Sequence, residues 1–529
     1  MKKRIPKKLL SLLLAVLLLL PCFSCFVFAA PEKNDDPVIF IAGFASTPIV
    51  DPSRGKQAFP PSFDDFRPVL KKYAGDVLRA LIRKNYAVLE EPLTNTLLTA
   101  FDMIRCDENG DPLLPATTTS YVYPTGDELR AKYDPVQGYT AEDNIYYSFD
   151  WRLDLKTLAE DLHSFIEYVL EETGAQKVKA IGSSMGGCVL ATYMDMYGTE
   201  YLSSALFLSA AFQGATIAGE PMIRPLTFNS ANLTAFVSSV LGTDVKAEIL
   251  NTLIDSLYQL GVMDRFALTS DQIVGIVSDG VYQNALRYIF GRIPGFWALV
   301  PYEMYDEAKT AMTKGIVSDA FYEKIDFYHE IQGRIPEIIQ SEMDAGVQVS
   351  IVSKYGIPVI PAVQAQQNMT DMVVDVRYSS LGADCAPVNA PFTDRSGEYV
   401  SSDGYIDAST CAFPETTWFL KNVSHTAHPF AELTFLNTLL TADSQPTVDA
   451  FADYPRFLIQ TPDGRIVPLT PETDRTLFIL PAARRTGFGD TLKRLWDNFF
   501  RILNLIIRLA GQSIKGNLPA VPVPAVVKP

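Results

Sequence analysis

The segment Gly182-Ser-Ser184-Met-Gly186 matches the pattern G-x-S-x-G around Ser184. A serine in this pattern can act as a nucleophile when it follows a strand and opens a helix, because the sharp turn exposes its hydroxyl. An apolar run at 178–181 precedes it and an apolar helical stretch follows it. Only glycine fits the two flanking positions without a Cβ clash. The pattern predicts Ser184 as a nucleophile, with the backbone N–H of Met185 facing a developing oxyanion.

A serine hydroxyl is a weak nucleophile until a base takes its proton, so this chemistry needs a histidine. The sequence has four. We interpret His163, which precedes the serine, and His329, which lies in a mostly helical region, as structural or surface residues. His425 and His428 remain as candidate bases, because this type of serine turn is followed along the chain by the acid and then the histidine. A zinc site at this pair is not predicted, since no third ligand has a suitable spacing.

The acid is expected between the strand predicted at 347–352 and His425. Asp403, in a Ser-Asp-Gly turn 22 residues before His425, is the preferred candidate. Asp407 and Asp384 are the alternatives. Each of the three could instead be an ordinary turn-forming aspartate.

The elements that must position these residues alternate between strand and helix. Apolar runs at 38–41, 178–181 and 205–208 predict buried strands, and helical periodicity lies between the last two. Such alternation is typical of a mostly parallel sheet covered by helices on both faces. The predicted fold class is therefore α/β, with a helical cap inserted between two strands.

The N-terminus combines a basic start, a leucine run at 9–20 and small residues at Ala29 and Ala30, which is typical of a signal peptide. A secreted, extracellular protein is expected. The predicted organisation is a signal peptide at 1–30, a first core part at 31–212 with a lid-like insertion at about 45–140, a helical cap at 213–345, a second core part at 346–445, a C-terminal hairpin at 446–486, and a basic amphipathic helix with a Pro-rich tail at 487–529.

The chain of 529 residues carries a formal net charge of −16, which argues against binding to nucleic acid, since phosphate contacts depend on Lys and Arg. No cofactor or metal is predicted. Four cysteines follow the signal peptide, and export permits disulfides. The pair Cys385 and Cys411 is the predicted bridge.

Three segments resemble the lecithin:cholesterol acyltransferase and lysosomal phospholipase A2 family, patchily over residues 36–440. Residues 147–152 are similar to its Y-D-W-R motif, about thirty residues before the serine turn, and 355–361 and 403–409 are also similar to the family. The resemblance implies an α/β-hydrolase core with a lipid-facing cap.

The same resemblance implies a triad of Ser184, Asp403 and the histidine that matches His425, with His428 as the alternative. By position, the backbone N–H of Phe44 is expected as the second oxyanion donor. Asp150, Trp151 and Arg152 are expected to lie near the site, packed at a strand end with an ion pair. The sequence departs from the family at Ser183, where the usual residue is histidine. A glycan on the sequon at Asn422 would crowd His425, which favours a divergent bacterial member.

The expected function is cleavage or transfer of acyl esters of lipids through an acyl-enzyme, with water or a lipid alcohol as acceptor. The alternatives are an O-acyltransferase of the same family and a non-catalytic lipid-binding or surface protein that keeps the fold. The segment at about 490–515 has one apolar and one basic face, which predicts docking on membrane or micelle surfaces. Packing of that helix on the body of the protein is the alternative.

Overall fold

The computed structural model describes most of the chain after the predicted signal peptide. The signal peptide, His428 and, apart from Asn498, the predicted amphipathic helix lie outside the described residues. The described residues are 36–45, 49–51, 56–59, 63–114, 117–118, 145–223, 226–241, 245–363, 369–387, 390–395, 397–426, 430–475 and 498.

The main sheet has eight strands in the order β13-β12-β11-β8-β7-β6-β1-β5. All neighbouring pairs are parallel except the edge pair β12 and β13. Its strands are β1 (Val38–Ile41), β5 (Ile145–Tyr147), β6 (Val178–Ser183), β7 (Leu202–Leu208), β8 (Gln348–Tyr355), β11 (Thr417–Lys421), β12 (Phe457–Gln460) and β13 (Ile466–Pro468). Two small sheets join β2 (Ile49–Asp51), β3 (Lys56–Phe59) and β4 (Thr117–Thr118), and β9 (Asp384–Cys385) with β10 (Ile406–Asp407).

Twelve helices of eight or more residues lie in the described part of the chain. They are α1 (Phe63–Arg83), α2 (Glu90–Ala100), α3 (Leu155–Thr173), α4 (Met185–Tyr197), α5 (Thr216–Ile223), α6 (Ser230–Leu241), α7 (Val245–Gln259), α8 (Val262–Val281), α9 (Tyr305–Thr313), α10 (Asp319–Gln332), α11 (Ile335–Asp344) and α12 (Phe430–Leu440). Shorter helical turns are Tyr86–Leu89, Asp102–Ile104, Tyr282–Leu286, Arg287–Ile289, Phe290–Arg292, Pro294–Trp297, Tyr302–Met304, Val376–Ser379, Ala408–Thr410 and Pro414–Thr416.

Alternate side chains of the central strands face opposite helix layers. Ile39 and Phe207 pack with α3, α4, α10 and α11 on one face, whereas Phe40 and Leu206 pack with α12 on the other. Burial on both faces explains why these strands read as continuous apolar runs. The predicted α/β-hydrolase architecture, a mostly parallel sheet covered on both faces, is confirmed.

The structure revises one predicted boundary and contains the predicted hairpin. The predicted cap at 213–345 includes α10 and α11, but Tyr328, Ile335 and Ile339 of these helices are buried in the same core as α4, so both helices belong to the layer over the sheet. The hairpin predicted within 446–486 is present as β12 and β13, which pair antiparallel. It extends the main sheet at its edge, because β12 also pairs with β11.

The chain forms two compact units. The first is Met1–Thr227 with Ser270–Arg475, and the second is Phe228–Thr269 with Thr476–Pro529. The first unit contains the main sheet and all the predicted site residues. The described part of the second consists of α6, α7, the start of α8 and Asn498.

Candidate active site

Ser184 occupies a sharp turn between β6 and α4, as predicted. Its backbone angles are φ 55° and ψ −124°, which are uncommon for a residue with a side chain and are strained. Neighbouring backbone groups fix this turn. The Ser184 N–H donates to the carbonyl of Leu208 (3.1 Å), and the Ser184 carbonyl accepts from the N–H groups of Gly187 (3.0 Å) and Ala211 (3.1 Å). The surrounding fold therefore holds a conformation that the residue alone would avoid.

The glycines around the serine allow three backbone segments to meet. A Cβ on Gly186 would lie 2.3 Å from the carbonyl oxygen of Ile41, and a Cβ on Gly182 would lie 2.8 Å from the Cα of Gly187. The requirement for glycine at both flanking positions is thus confirmed. A Cβ on Gly43 would lie 2.7 Å from the Cβ of Ser184 and 3.2 Å from its Oγ. The end of β1 therefore runs directly beside the serine.

Phe44, which follows Gly43, belongs to a cluster of aromatic rings next to the serine turn. Its ring centroid lies 4.3 Å from Trp151, 5.8 Å from Phe296 and 6.2 Å from Phe59. Trp151 is fully buried. The backbone at Phe44 is therefore positioned beside Ser184 by an apolar contact surface.

Asp150 and Arg152 lock the end of β5 next to this cluster. The guanidinium of Arg152 is fully buried and binds both carboxylate oxygens of Asp150, with an Nη2 to Oδ2 distance of 2.6 Å. It also donates to the carbonyls of Met103 (3.4 Å) and Leu114 (3.3 Å). The expected ion pair at a packed strand end is present, and it fixes Trp151 between its two partners.

His425 follows β11 and binds Asp371 twice. Its Nδ1 lies 2.7 Å from Oδ2 of Asp371, and its backbone N–H donates to the Asp371 carbonyl at 2.8 Å. The Asp371 carboxylate is buried, and its Oδ1 accepts from the N–H groups of Val373 (3.1 Å) and Val374 (2.8 Å). Burial acts to raise the pKa of Asp371, but the charge and hydrogen bond of His425 and these donors outweigh it and hold the pKa below its usual range.

The predicted pairing of Asp403 with His425 is wrong. The buried carboxylate of Asp403 accepts from Nζ of Lys421 (2.8 Å), the hydroxyl of Tyr355 (3.1 Å) and the hydroxyl of Ser401 (2.6 Å). Lys421 lies on β11, and the two buried charges neutralise each other, so removing either side chain would leave the other without this buried partner.

The two alternative acids are also elsewhere. Asp407 caps a short helical turn by accepting from Ser409, and Asp384 is exposed on β9. Sequence reasoning missed Asp371, which lies 16 residues past the end of β8, much closer to that strand than Asp403. Its position in the loop that follows β8 was the available signal.

A second buried carboxylate braces the Asp371 loop. Asp375 accepts from the backbone N–H (2.8 Å) and the hydroxyl (2.9 Å) of Thr216, the first residue of α5. Burial raises the pKa of Asp375 to about 6, and the Thr216 bonds oppose that rise. This contact joins the segment after β7 to the segment after β8.

Of the other histidines, His163 stacks on Tyr197 (3.9 Å between centroids) and His329 on Tyr305 (3.8 Å). The predicted disulfide between Cys385 and Cys411 is wrong, since the two sulfurs are not bonded to each other. Each sulfur lies within reach of a nearby backbone carbonyl instead, that of Ala383 and that of Ala408 respectively. Within the described ranges, no group of three His, Cys, Asp or Glu side chains could hold a metal ion.

The candidate residues meet at one edge of the sheet. Ser184 ends β6, while Asp371 and His425 follow β8 and β11, and the carboxyl ends of parallel strands lie at the same edge. Open α/β sheets bind their ligands at this edge. The fold and the strained serine turn define a protein of the α/β-hydrolase class.

The comparisons with known proteins specify the class further. Residues 133–238 match the family model of lecithin:cholesterol acyltransferase, a segment that contains 147–152 and Ser184. This part of the chain is therefore similar to the lecithin:cholesterol acyltransferase family, in agreement with the resemblance predicted from its motifs. At the level of class, this match supports acyl-ester hydrolase or acyltransferase chemistry.

Two solved structures are similar at low identity. One, from the crystal structure of the Tle4–Tli4 complex, is 12% identical, with a TM-score of 0.25, over 90% of this chain and 99% of that chain. The other, the esterase RhEst1 from Rhodococcus sp. ECU1013, is 15% identical, with a TM-score of 0.10, over 35% of this chain and 74% of that chain. No curated protein sequence matches the chain.

Proposed function

We propose that this protein is an exported enzyme that cleaves acyl esters of lipids through an acyl-enzyme on Ser184, with His425 as base and Asp371 as the acid. The observation that carries the proposal is the buried Asp371–His425 pair at the sheet edge where β6 presents a strained serine. Export is inferred from the basic and leucine-rich composition of residues 1–30.

In this mechanism the Asp371 carboxylate holds Nδ1 of His425 and so assigns the proton to that nitrogen. Nε2 is then left as the acceptor for the proton of Ser184 when the hydroxyl attacks the ester carbonyl. Asp371 stays ionised and stabilises the imidazolium that forms, consistent with its lowered pKa. His425 and Ser184 make no direct hydrogen bond in this structure, and such bonds commonly tighten only when substrate is bound.

The oxyanion is assigned to two backbone N–H groups. Met185 begins α4 directly after the serine, and helix N-termini favour negative charge. Phe44 follows Gly43, whose backbone lies against the Ser184 side chain. Preorganised donors of this kind stabilise the tetrahedral intermediate without reorganising during the reaction.

Several features support a lipid ester as substrate. The ring of Phe44 and its aromatic neighbours form an apolar surface beside the serine, which suits an acyl chain. The family match names an acyltransferase, so a lipid alcohol is the alternative acyl acceptor at the same site. Which acceptor reacts depends on how far the site excludes water.

Labelling with a fluorophosphonate probe tests the nucleophile. Ser184→Ala should lose labelling and about 10⁴- to 10⁶-fold in ester hydrolysis. Ser183→Ala, at the adjacent position in the same turn, is the matched control and should keep both. A series of phospholipids and neutral acyl esters, assayed with and without an added alcohol, separates hydrolysis from transfer. Undiminished labelling of Ser184→Ala would sink the assignment.

A further inference from the structure

The two neighbouring strands that lead to the acid and the base end in the same kind of turn. Gly356 follows β8 with φ 89°, and Asn422 follows β11 with φ 69°. Glycine adopts this left-handed conformation freely, and asparagine is one of the few other residues that tolerate it. A Cβ on Gly356 would lie 3.1 Å from Oδ1 of Asn422. The two turns therefore lie directly against each other.

The turn at Asn422 leads to the base. Its backbone N–H donates to the carbonyl of Tyr355 at 2.8 Å, just beyond the last paired residues of β8 and β11. Val423 is buried in the core that includes α12, and the N–H of His425 is bound to the Asp371 carbonyl. Because the chain is held at three of these four residues, a rotation at Asn422 displaces the imidazole.

The turn at Gly356 leads to the acid in an equally fixed way. The N–H of Ile357 donates to the carbonyl of Thr370 (3.0 Å), and the hydroxyl of Thr370 donates back to the carbonyl of Ile357 (2.6 Å). Thr370 is fully buried and directly precedes Asp371. The two adjoining turns therefore set the spacing between the acid and the base.

The side chain of Asn422 adds a contact with a distant part of the chain. It is only 4% exposed, and its Nδ2 donates to the carbonyl of Arg475, after β13, at 2.8 Å. A carbonyl can only accept a hydrogen bond, so this contact requires the amide nitrogen. Among the described residues, Oδ1 of Asn422 has no hydrogen-bond partner. The bond to Arg475 is thus what fixes the rotation of the amide.

We propose that Asn422 is a positioning residue for the base, and that its bond to Arg475 gives the edge hairpin β12–β13 a role in catalysis. Asn422 holds His425 at its distance from Asp371 and takes no part in proton transfer itself. The inference rests on the proposed function, since it takes His425 as the base. If Asn422 were only a turn former, glycine would serve equally well at this position.

The isosteric variant Asn422→Asp tests the donated bond. Aspartate also tolerates the left-handed backbone, but it replaces the amide donor with a carboxylate oxygen, which the Arg475 carbonyl repels. On a soluble ester, kcat should fall at least about 100-fold with KM unchanged, because a small displacement of a catalytic group has an effect of this size. Asn422→Gly keeps the turn and removes the bond without repulsion, so its loss of kcat should be smaller.

Asn498→Asp is the matched control. Asn498 is also buried, and its Nδ2 donates to Oδ2 of Asp255 at 2.8 Å, so the change places two carboxylates together in the second unit, away from the site residues. This variant should lower the urea unfolding midpoint and keep kcat. A role of Asn422 in folding alone would give the same result for the two Asn422 variants.

The NMR signal of the imidazole proton that binds Asp371 provides a readout that needs no turnover. It is recorded in the Ser184→Ala background and assigned by its loss in His425→Ala. Asn422→Asp should shift or remove this signal, whereas Asn498→Asp should keep it. An unchanged signal in both Asn422 variants would overturn the proposal, whatever happens to kcat. A displaced signal with unchanged kcat would support the positioning role and instead exclude His425 as the base, so the two failures are distinguishable.

Discussion

Asp371 and His425 are joined by two hydrogen bonds, one between their side chains and one between their backbones. The backbone bond fixes the distance between the loop after β8 and the loop after β11, and the side-chain bond fixes the rotation of the imidazole. Since the carboxylate is buried and also held by Val373 and Val374, the ring has a defined orientation before any substrate binds. Such preorganisation is what a general base requires.

Exchanging each of the two buried aspartates for asparagine separates their roles. Asp371→Asn should lower kcat about 10³- to 10⁴-fold, because an amide permits the wrong tautomer of His425. Asp403→Asn should leave kcat of the folded protein nearly unchanged and destabilise the fold by about 3 kcal/mol, because Lys421 loses a charged partner. Ester hydrolysis and urea unfolding of both variants provide the comparison. A larger loss of kcat in Asp403→Asn would restore the original assignment of the acid.

The two neighbouring histidines give a second test. His425→Ala should abolish hydrolysis to the same extent as loss of the serine, since the triad acts as a unit. His428→Ala should retain most of the activity. The measurement is kcat/KM on one soluble ester, with thermal unfolding as the control for folding. If the severities are reversed, His428 is the base and the contact of His425 with Asp371 is structural.

Gly43 tests the contact between β1 and the serine. Gly43→Ala should reduce kcat/KM by at least about 100-fold, because its Cβ would lie 2.7 Å from that of Ser184 and would displace the hydroxyl. Gly75→Ala is the matched control, since a Cβ there meets no atom within 4 Å in the interior of α1. That control should keep full activity and stabilise the fold by about 0.5–1 kcal/mol. Full activity in Gly43→Ala would exclude the end of β1 from the oxyanion site.

Asp375 should make stability depend on pH. Its pKa is raised by burial from 3.8 in ordinary surroundings to about 6, so between these values the folded state binds the proton more strongly than the unfolded state. The contribution of Asp375 to the free energy of unfolding therefore decreases as pH rises from about 4 to about 6, by up to about 3 kcal/mol. Asp375→Asn should remove this dependence. The test is the urea unfolding midpoint of both proteins, measured from about pH 4 to about pH 7. The same change of midpoint with pH in both proteins would contradict the prediction.

The serine turn and the parallel sheet could be predicted from the sequence because both depend on local patterns. A buried strand, a serine between two glycines and an apolar helix follow one another within about twenty residues, so Ser184 and its flanking glycines needed no tertiary information. The family resemblance rested on segments of the same kind.

Only the tertiary structure decided which aspartate meets His425. Several aspartates lie between β8 and β11, and each is a reasonable turn former. In the folded chain Asp403 lies beside Lys421, whose amine neutralises its charge, whereas Asp371 lies beside His425. Which carboxylate lies near His425 depends on how the loops fold, and the spacing of the residues along the sequence does not give it.

The sequence likewise did not predict what the apolar side of each helix faces. Periodicity shows that α7, α10 and α11 each have an apolar side, but not what that side faces. For α10 and α11 it faces the sheet core, whereas Leu250, Leu253 and Leu257 of α7 are exposed. Packing between distant segments decides this, because a helix turns toward the surroundings that satisfy its polar groups as well as its apolar ones.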